Sequence, residues 1–182
     1  MLDYDRDGWL DIAMTNANSP LFRLHRNRIG DRPGMADRGK IIAMRFVGGN
    51  DGPEPVDGLA CRDGYGAKVR VDLGDTQRFQ EHRCGQRHSS QNPRARVIGV
   101  GSNETVPRIE VEWPSGHKQT IETVAAGSIV TAYEVPEQSP TREAFTITPY
   151  GNPLHIAADA GKKAPLARLA IRDRSGSPAK LT

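Results

Sequence analysis

The sequence predicts an all-β fold, a sandwich or barrel of short strands. Three observations carry this reading. From residue 40 to residue 135 the chain runs through seven or eight short stretches in which apolar and polar residues alternate, the period of a half-buried strand. The breaks between them are rich in Gly, Pro, Asp and Asn, and the chain holds 19 Gly and 13 Pro. No helical 3.6-residue periodicity is sustained before the last 45 or so residues. At 182 residues, with 36% hydrophobic content and a formal charge of +3, the chain is long enough to bury one real core.

The first element is acidic. Asp3, Asp5 and Asp7 alternate, Gly8 follows, and Asp11 closes the series. Alternate side chains of an extended stretch point the same way, so three carboxylates can converge on one centre. Gly8 permits a positive φ, and the turn would aim the carbonyl of Trp9 and the carboxylate of Asp11 at the same centre. Four carboxylates and a carbonyl form a hard, all-oxygen donor set suited to Ca²⁺. The candidate metal ligands are therefore Asp3, Asp5, Asp7, Trp9 and Asp11. An EF-hand is excluded, because its twelfth loop position needs a bidentate Glu and here holds Met14. The alternative is a solvated acidic turn. Leu10, Ile12 and Met14 then alternate with polar or small neighbours as a short strand, and residues 21–27 supply its partner. Gly30, Pro33 and Gly34 mark a linker, and His25, with no second ligand nearby, reads as a surface residue.

The main β region follows. Residues 41–47 form a strand that ends in a glycine-rich, acidic loop through residue 58. Residues 65–73 face Ala67, Val69, Val71 and Leu73 inward, Gly74 and Asp75 turn the chain, and residues 76–83 return as a hairpin partner. Residues 85–94 are polar and irregular. Strands resume at 96–99 and 108–113, with Ile109, Val111 and Trp113 on one face. Pro114-Ser115-Gly116 turns into residues 117–121, and residues 128–135 make a last strong strand. Beyond Pro136 the chain reads as a linker and a short irregular or helical tail. Residues 151–161 faintly resemble the start of an ankyrin repeat, and residues 164–172 suit a short helix with Pro165 at its start.

Two resemblances sit on these stretches. DYDRDGWLDIAMTN, residues 3–16, resembles the Ca²⁺-binding strand-turn of FG-GAP/VCBS repeats, the blades of integrin-type β-propellers, and covers one partial blade. Gly64-Tyr65-Gly66-Ala67-Lys68-Val69, Ser89-Ser90-Gln91 and Val111-Glu112-Trp113-Pro114-Ser115-Gly116 resemble, in order, three motifs of the ASPIC/UnbV family, with Ala132-Tyr133-Glu134 as its closing strand. Residues 97–101 depart from that pattern, which usually has an aromatic or His before Gly-Leu-Gly. The family characteristically follows FG-GAP/VCBS blades, as in the cartilage acidic proteins, and the order here agrees. The division this implies is a partial blade with its loop and linker over 1–38, an ASPIC/UnbV β-domain over 39–136, and a linker with a C-terminal extension over 137–182. A calcium loop so close to Met1 leads to the expectation that upstream blades belong to a longer protein.

Function classes narrow accordingly. A sequence pI near 9.0 invites a nucleic-acid reading, but the arginines are scattered and lack interleaved stacking aromatics, so no nucleic-acid partner is expected. No apolar run reaches membrane-spanning length and the first residues form no leader, so neither membrane insertion nor a signal peptide is expected of this chain. His82, Cys84, His88, Ser89 and Ser90 cluster in sequence, with Glu81 or Asp75 as conceivable orienting acids. They lack a nucleophile elbow and an oxyanion site, and Cys84, His82 and His88 lack the fourth ligand of a structural zinc, so no enzyme is expected. Cys61 and Cys84 flank the 65–83 hairpin, leaving a disulfide and separate buried thiols both open. The resulting expectation is a non-catalytic, Ca²⁺-binding interaction or adhesion module, extracellular or periplasmic, with a protein or glycan ligand. The alternative is a carbohydrate-binding or accessory domain of a larger secreted enzyme, for which Trp9, Tyr65 and Trp113 are the aromatics to consider.

Overall fold

A computed structural model describes residues 1–35, 39–85 and 93–151. The described residues form ten strands: β1 (Ile12–Thr15), β2 (Phe22–His25), β3 (Lys40–Val47), β4 (Lys68–Asp72), β5 (Gln77–Glu81), β6 (Arg96–Gly101), β7 (Thr105–Glu112), β8 (Lys118–Ala125), β9 (Ser128–Tyr133) and β10 (Phe145–Pro149). β1 and β2 pair by themselves as an antiparallel hairpin. The others make two four-stranded sheets, β10-β9-β3-β6 and β5-β4-β7-β8. The fold is all-β and sandwich-like.

Alternation explains the packing. Ile42, Met44 and Phe46 of β3, Val69 and Val71 of β4, Ile109 and Val111 of β7 and Val130 and Ala132 of β9 point inward and form one buried cluster with Trp113. The opposite face of β3 is also apolar: Ile41 and Ala43 join Ile129 and Tyr150 in a second, smaller cluster. Covering both faces explains why β3 reads KIIAMRFV rather than strictly alternating. The outer face of the other sheet is polar, with exposed ion pairs Lys68–Glu112, Lys118–Glu112, Arg70–Glu110 and Arg108–Glu110. Such exposed pairs contribute little stability each, but they distribute the basic charge instead of gathering it.

Two features depart from the sequence reading. β3 runs parallel to β9, with Ala43 opposite Ile129 and Val47 opposite Tyr133, inside an otherwise antiparallel pair of sheets. β10 lies in the stretch read as tail and pairs antiparallel with β9, Phe145 opposite Ala132. Its alternating Thr and Ile favour a strand, and an edge position tolerates Pro149 at its end. The ankyrin-like stretch and the helix expected over 164–172 lie outside the described residues, as do residues 86–92 with His88, Ser89, Ser90 and Gln91.

The family-like motifs hold the fold. Gly64 sits at φ +64°, and a Cβ there would come within 2.6 Å of Phe46 Cβ. Trp113 is buried and donates from Nε1 to Gln119 Oε1 at 2.9 Å, while Gln119 Nε2 donates to the Tyr133 carbonyl at 2.8 Å. Glu134 is 2% exposed. Its Oε2 accepts the N–H groups of Gly49 and Ala60, both at 2.8 Å, and its Oε1 accepts the Ser115 hydroxyl at 2.6 Å.

His82 is the other buried polar side chain of note. Its ring stacks between Phe46 and Tyr65, with centroids 4.9 and 4.8 Å away. Arg96 Nε donates to Nδ1 at 3.2 Å, which leaves the proton on Nε2, facing the Asp63 carbonyl at 3.0 Å. Burial, then the charge of Arg96, hold the imidazole below its ordinary 6.5; the Asp63 side opposes them and Arg94 adds to them.

Two outcomes follow. Glu134→Ala strands two buried N–H donors and should cost about 3 kcal/mol in urea unfolding, whereas Glu134→Gln, which keeps an acceptor, should cost about 1 kcal/mol. For His82, unfolded chains take up a proton below 6.5 that the folded chain resists, so its contribution is complete above that pH and is lost as pH falls below it. Urea midpoints measured from pH 7.5 to 5 should fall more steeply for the wild type than for His82→Gln.

Candidate metal centre

The acidic loop folds onto itself before β1. An isolated antiparallel bridge joins Leu2 to Asp11, closing residues 2–11 into a ring of backbone. Asp3 caps that ring from inside: its Oδ1 accepts the Asp7 N–H at 3.1 Å and its Oδ2 the Gly8 N–H at 2.9 Å. Gly8 has φ +92°, the positive value that the spacing requires. Asp11 is fully buried and holds the loop to the hairpin, accepting the Tyr4 N–H at 3.1 Å and the Asn27 N–H at 2.7 Å.

Of the five predicted ligands, three converge. Asp3, Asp5 and Asp11 each offer one carboxylate oxygen, and these oxygens lie within 4.8 Å of one another. Asp7 is directed elsewhere. Its Oδ1 accepts the Trp9 N–H at 2.8 Å, and its Oδ2 meets Arg26 at 3.0 Å. The Trp9 ring packs against the backbone of Gly30 and Gly39, so those two glycines are the space it occupies.

The sequence reading missed the loop's partners. Arg26, at the end of the hairpin, donates from Nε to Asp5 at 2.7 Å and also pairs with Asp7 and Asp31. It serves as an internal counter-cation to the acidic ring, and the hydrogen bond it donates to Asp5 heads the causes that raise its pKa. Tyr150, which follows β10, donates its hydroxyl to Asp3 Oδ2 at 2.7 Å. Burial, then the bond to Asp3, push the phenol well above its ordinary 10.0. Burial likewise raises the Asp3 carboxyl; the Tyr150 and Gly8 bonds oppose this, and Asp7 and Asp5 add to it. Arg26 has a signal in sequence, a basic residue closing a hairpin that begins in aspartates. Tyr150 has none.

The other candidates are placed as follows. Trp113 is buried in the core, and Tyr65 lays one face on His82. Both ring nitrogens of His82 are engaged by protein groups, which withdraws it from a zinc reading with Cys84. Cys61 and Cys84 are free and exposed thiols, neither paired with each other nor buried. Among the described residues no helix is long and apolar enough to cross a membrane.

No curated protein and no solved structure matches the chain. The resemblance carried by the Gly64–Val69 and Val111–Gly116 motifs has independent support at the level of the domain. Residues 59–139, which take in β4 through β9, match the protein-family model described as ASPIC and UnbV.

Proposed function

We propose that the chain is a non-catalytic, calcium-dependent interaction module, whose acidic loop takes Ca²⁺ and so stiffens the β1–β2 hairpin as a surface for a protein ligand. The observation that carries this reading is the convergence of Asp3, Asp5 and Asp11. Oxygens bound to one Ca²⁺ at its usual distances lie no more than about 5 Å apart, and this trio meets that limit. The donors are all hard oxygens, as Ca²⁺ prefers. Asp7 and the carbonyl of Trp9 would complete the set named from the sequence, with Asp7 released from Arg26. The resemblance of residues 3–16 to FG-GAP/VCBS calcium loops points the same way.

The hairpin supplies the interaction surface in this reading. Leu21, Phe22, Leu24, Ile12 and Met14 are all exposed, Leu21 to 67% and Phe22 to 54%. A two-stranded ribbon with apolar side chains on both faces has little core of its own and gains by docking. The acidic ring lies directly before β1, and Arg26 and Asn27 tie it to the end of β2. An extracellular or periplasmic setting is part of this proposal, since modules there bind Ca²⁺ at about 0.1–1 mM. Upstream propeller blades and an adhesion role belong to the same proposal.

Calorimetric titration of the whole chain with CaCl₂ should give saturable heat with a Kd of about 0.1–1 mM. Asp5→Asn should abolish it. Arg26→Gln, which removes the competing cation, should tighten it several-fold. Absence of heat in the wild type and in Arg26→Gln alike would remove calcium from the account.

A further inference from the structure

The outer face of the β10-β9-β3-β6 sheet carries a groove of about 600 Å³ that runs beside the acidic ring. Its floor is apolar. Val97 and Ile129 line it from either side of Ala43, their common partner on β3. One step along the sheet, Arg45 and Thr131 stand opposite each other in register and line the same groove. Arg6 and Arg94 complete the cationic lining, and Asp3 borders it from the loop.

Three exposed arginines around one groove set up a positive potential that draws an anion. Arg94 has a partial answer, an ion pair with Asp63 at 3.3 Å. Arg6 and Arg45 have no ion pair among the described residues. Arg45 is the more telling of the two. It projects from the centre of a strand whose other outward residues, Ile41, Ala43 and Val47, are apolar. Guanidinium forks match the two oxygens of a carboxylate or sulfate, and a groove of this volume is in the range that holds small ligands.

We propose that this groove binds an acidic saccharide of one or two rings. The arginines take its carboxylate or sulfate, the Val97–Ile129 floor takes the C–H face of a ring, and Thr131 pairs with a ring hydroxyl. A fatty carboxylate would satisfy the arginines and the floor but leave the Thr131 hydroxyl facing hydrocarbon, at the cost of burying a polar group without a partner. The proposal does not depend on calcium.

The test is calorimetric titration of the full chain, with chelator present, using digalacturonate, an O-sulfated disaccharide, lactose and inorganic sulfate. At least one acidic disaccharide should saturate the protein while lactose does not, and the two acidic probes distinguish a uronate from a sulfate ester. Arg45→Gln should weaken that binding about tenfold or more, and Arg70→Gln, an equal loss of charge on the other sheet, should leave it unchanged. Arg94→Gln gives a second reading should Arg45→Gln melt early. Failure of both acidic probes to saturate below ~10 mM, binding unchanged in both groove variants, or inorganic sulfate binding as tightly as the disaccharide would each overturn the proposal.

Discussion

A buried carboxylate ties the sandwich together. Glu134 lies just past β9, and its two oxygens reach three segments that are distant in sequence: the glycine turn after β3, the stretch before β4, and the Pro114-Ser115-Gly116 turn between β7 and β8. A charge is taken out of water only where its lone pairs are filled, so these segments can be nowhere else while Glu134 is inside. Gln119 reinforces the arrangement, joining the Trp113 indole to the carbonyls of Tyr133 and Glu134. The aromatic core and the loops at this end are therefore fixed by one polar network. Its geometry fits a scaffold that holds loops still.

The two sheets divide the labour differently. The β5-β4-β7-β8 sheet presents a charged outer face whose members pair across strands. The β10-β9-β3-β6 sheet is apolar on both faces, and its outer side takes the acidic loop at one end and the arginine groove beside it. Gly8 sits against Ile41 of β3, and Tyr150 belongs both to that outer cluster and to the bond with Asp3. The N-terminal loop is thus seated on a patch that the strand pattern left unfilled.

Local pattern made much of the fold legible. Period-two alternation located β4 and β7, and short apolar runs bounded by turn residues located β3 and β9. Turn chemistry located the β4–β5 hairpin and the Pro114-Ser115-Gly116 turn. At the candidate site, the aspartate spacing and Gly8 identified the ring that closes on Asp3, since these are relations over a few residues. What stayed hidden depends on distance along the chain. Tyr150 meets Asp3 across 147 positions, and Glu134 meets Gly49 across 85. Asp7 was read as a ligand from spacing alone, and its turn toward Arg26 depends on where the hairpin brings that arginine. β10 escaped notice because linker residues precede it and its outer positions are exposed. The stacking of His82 between Phe46 and Tyr65 joins β3 to the residues that precede β4 and follow β5, which no local window contains.

The contact between Tyr150 and Asp3 has a topological consequence. It sets the third residue beside the residue that follows β10, so the two ends of the described β unit lie at nearly the same point. Adjacent ends also make such a unit a natural candidate for circular permutation, with new termini opened in the long acidic turn around Pro53.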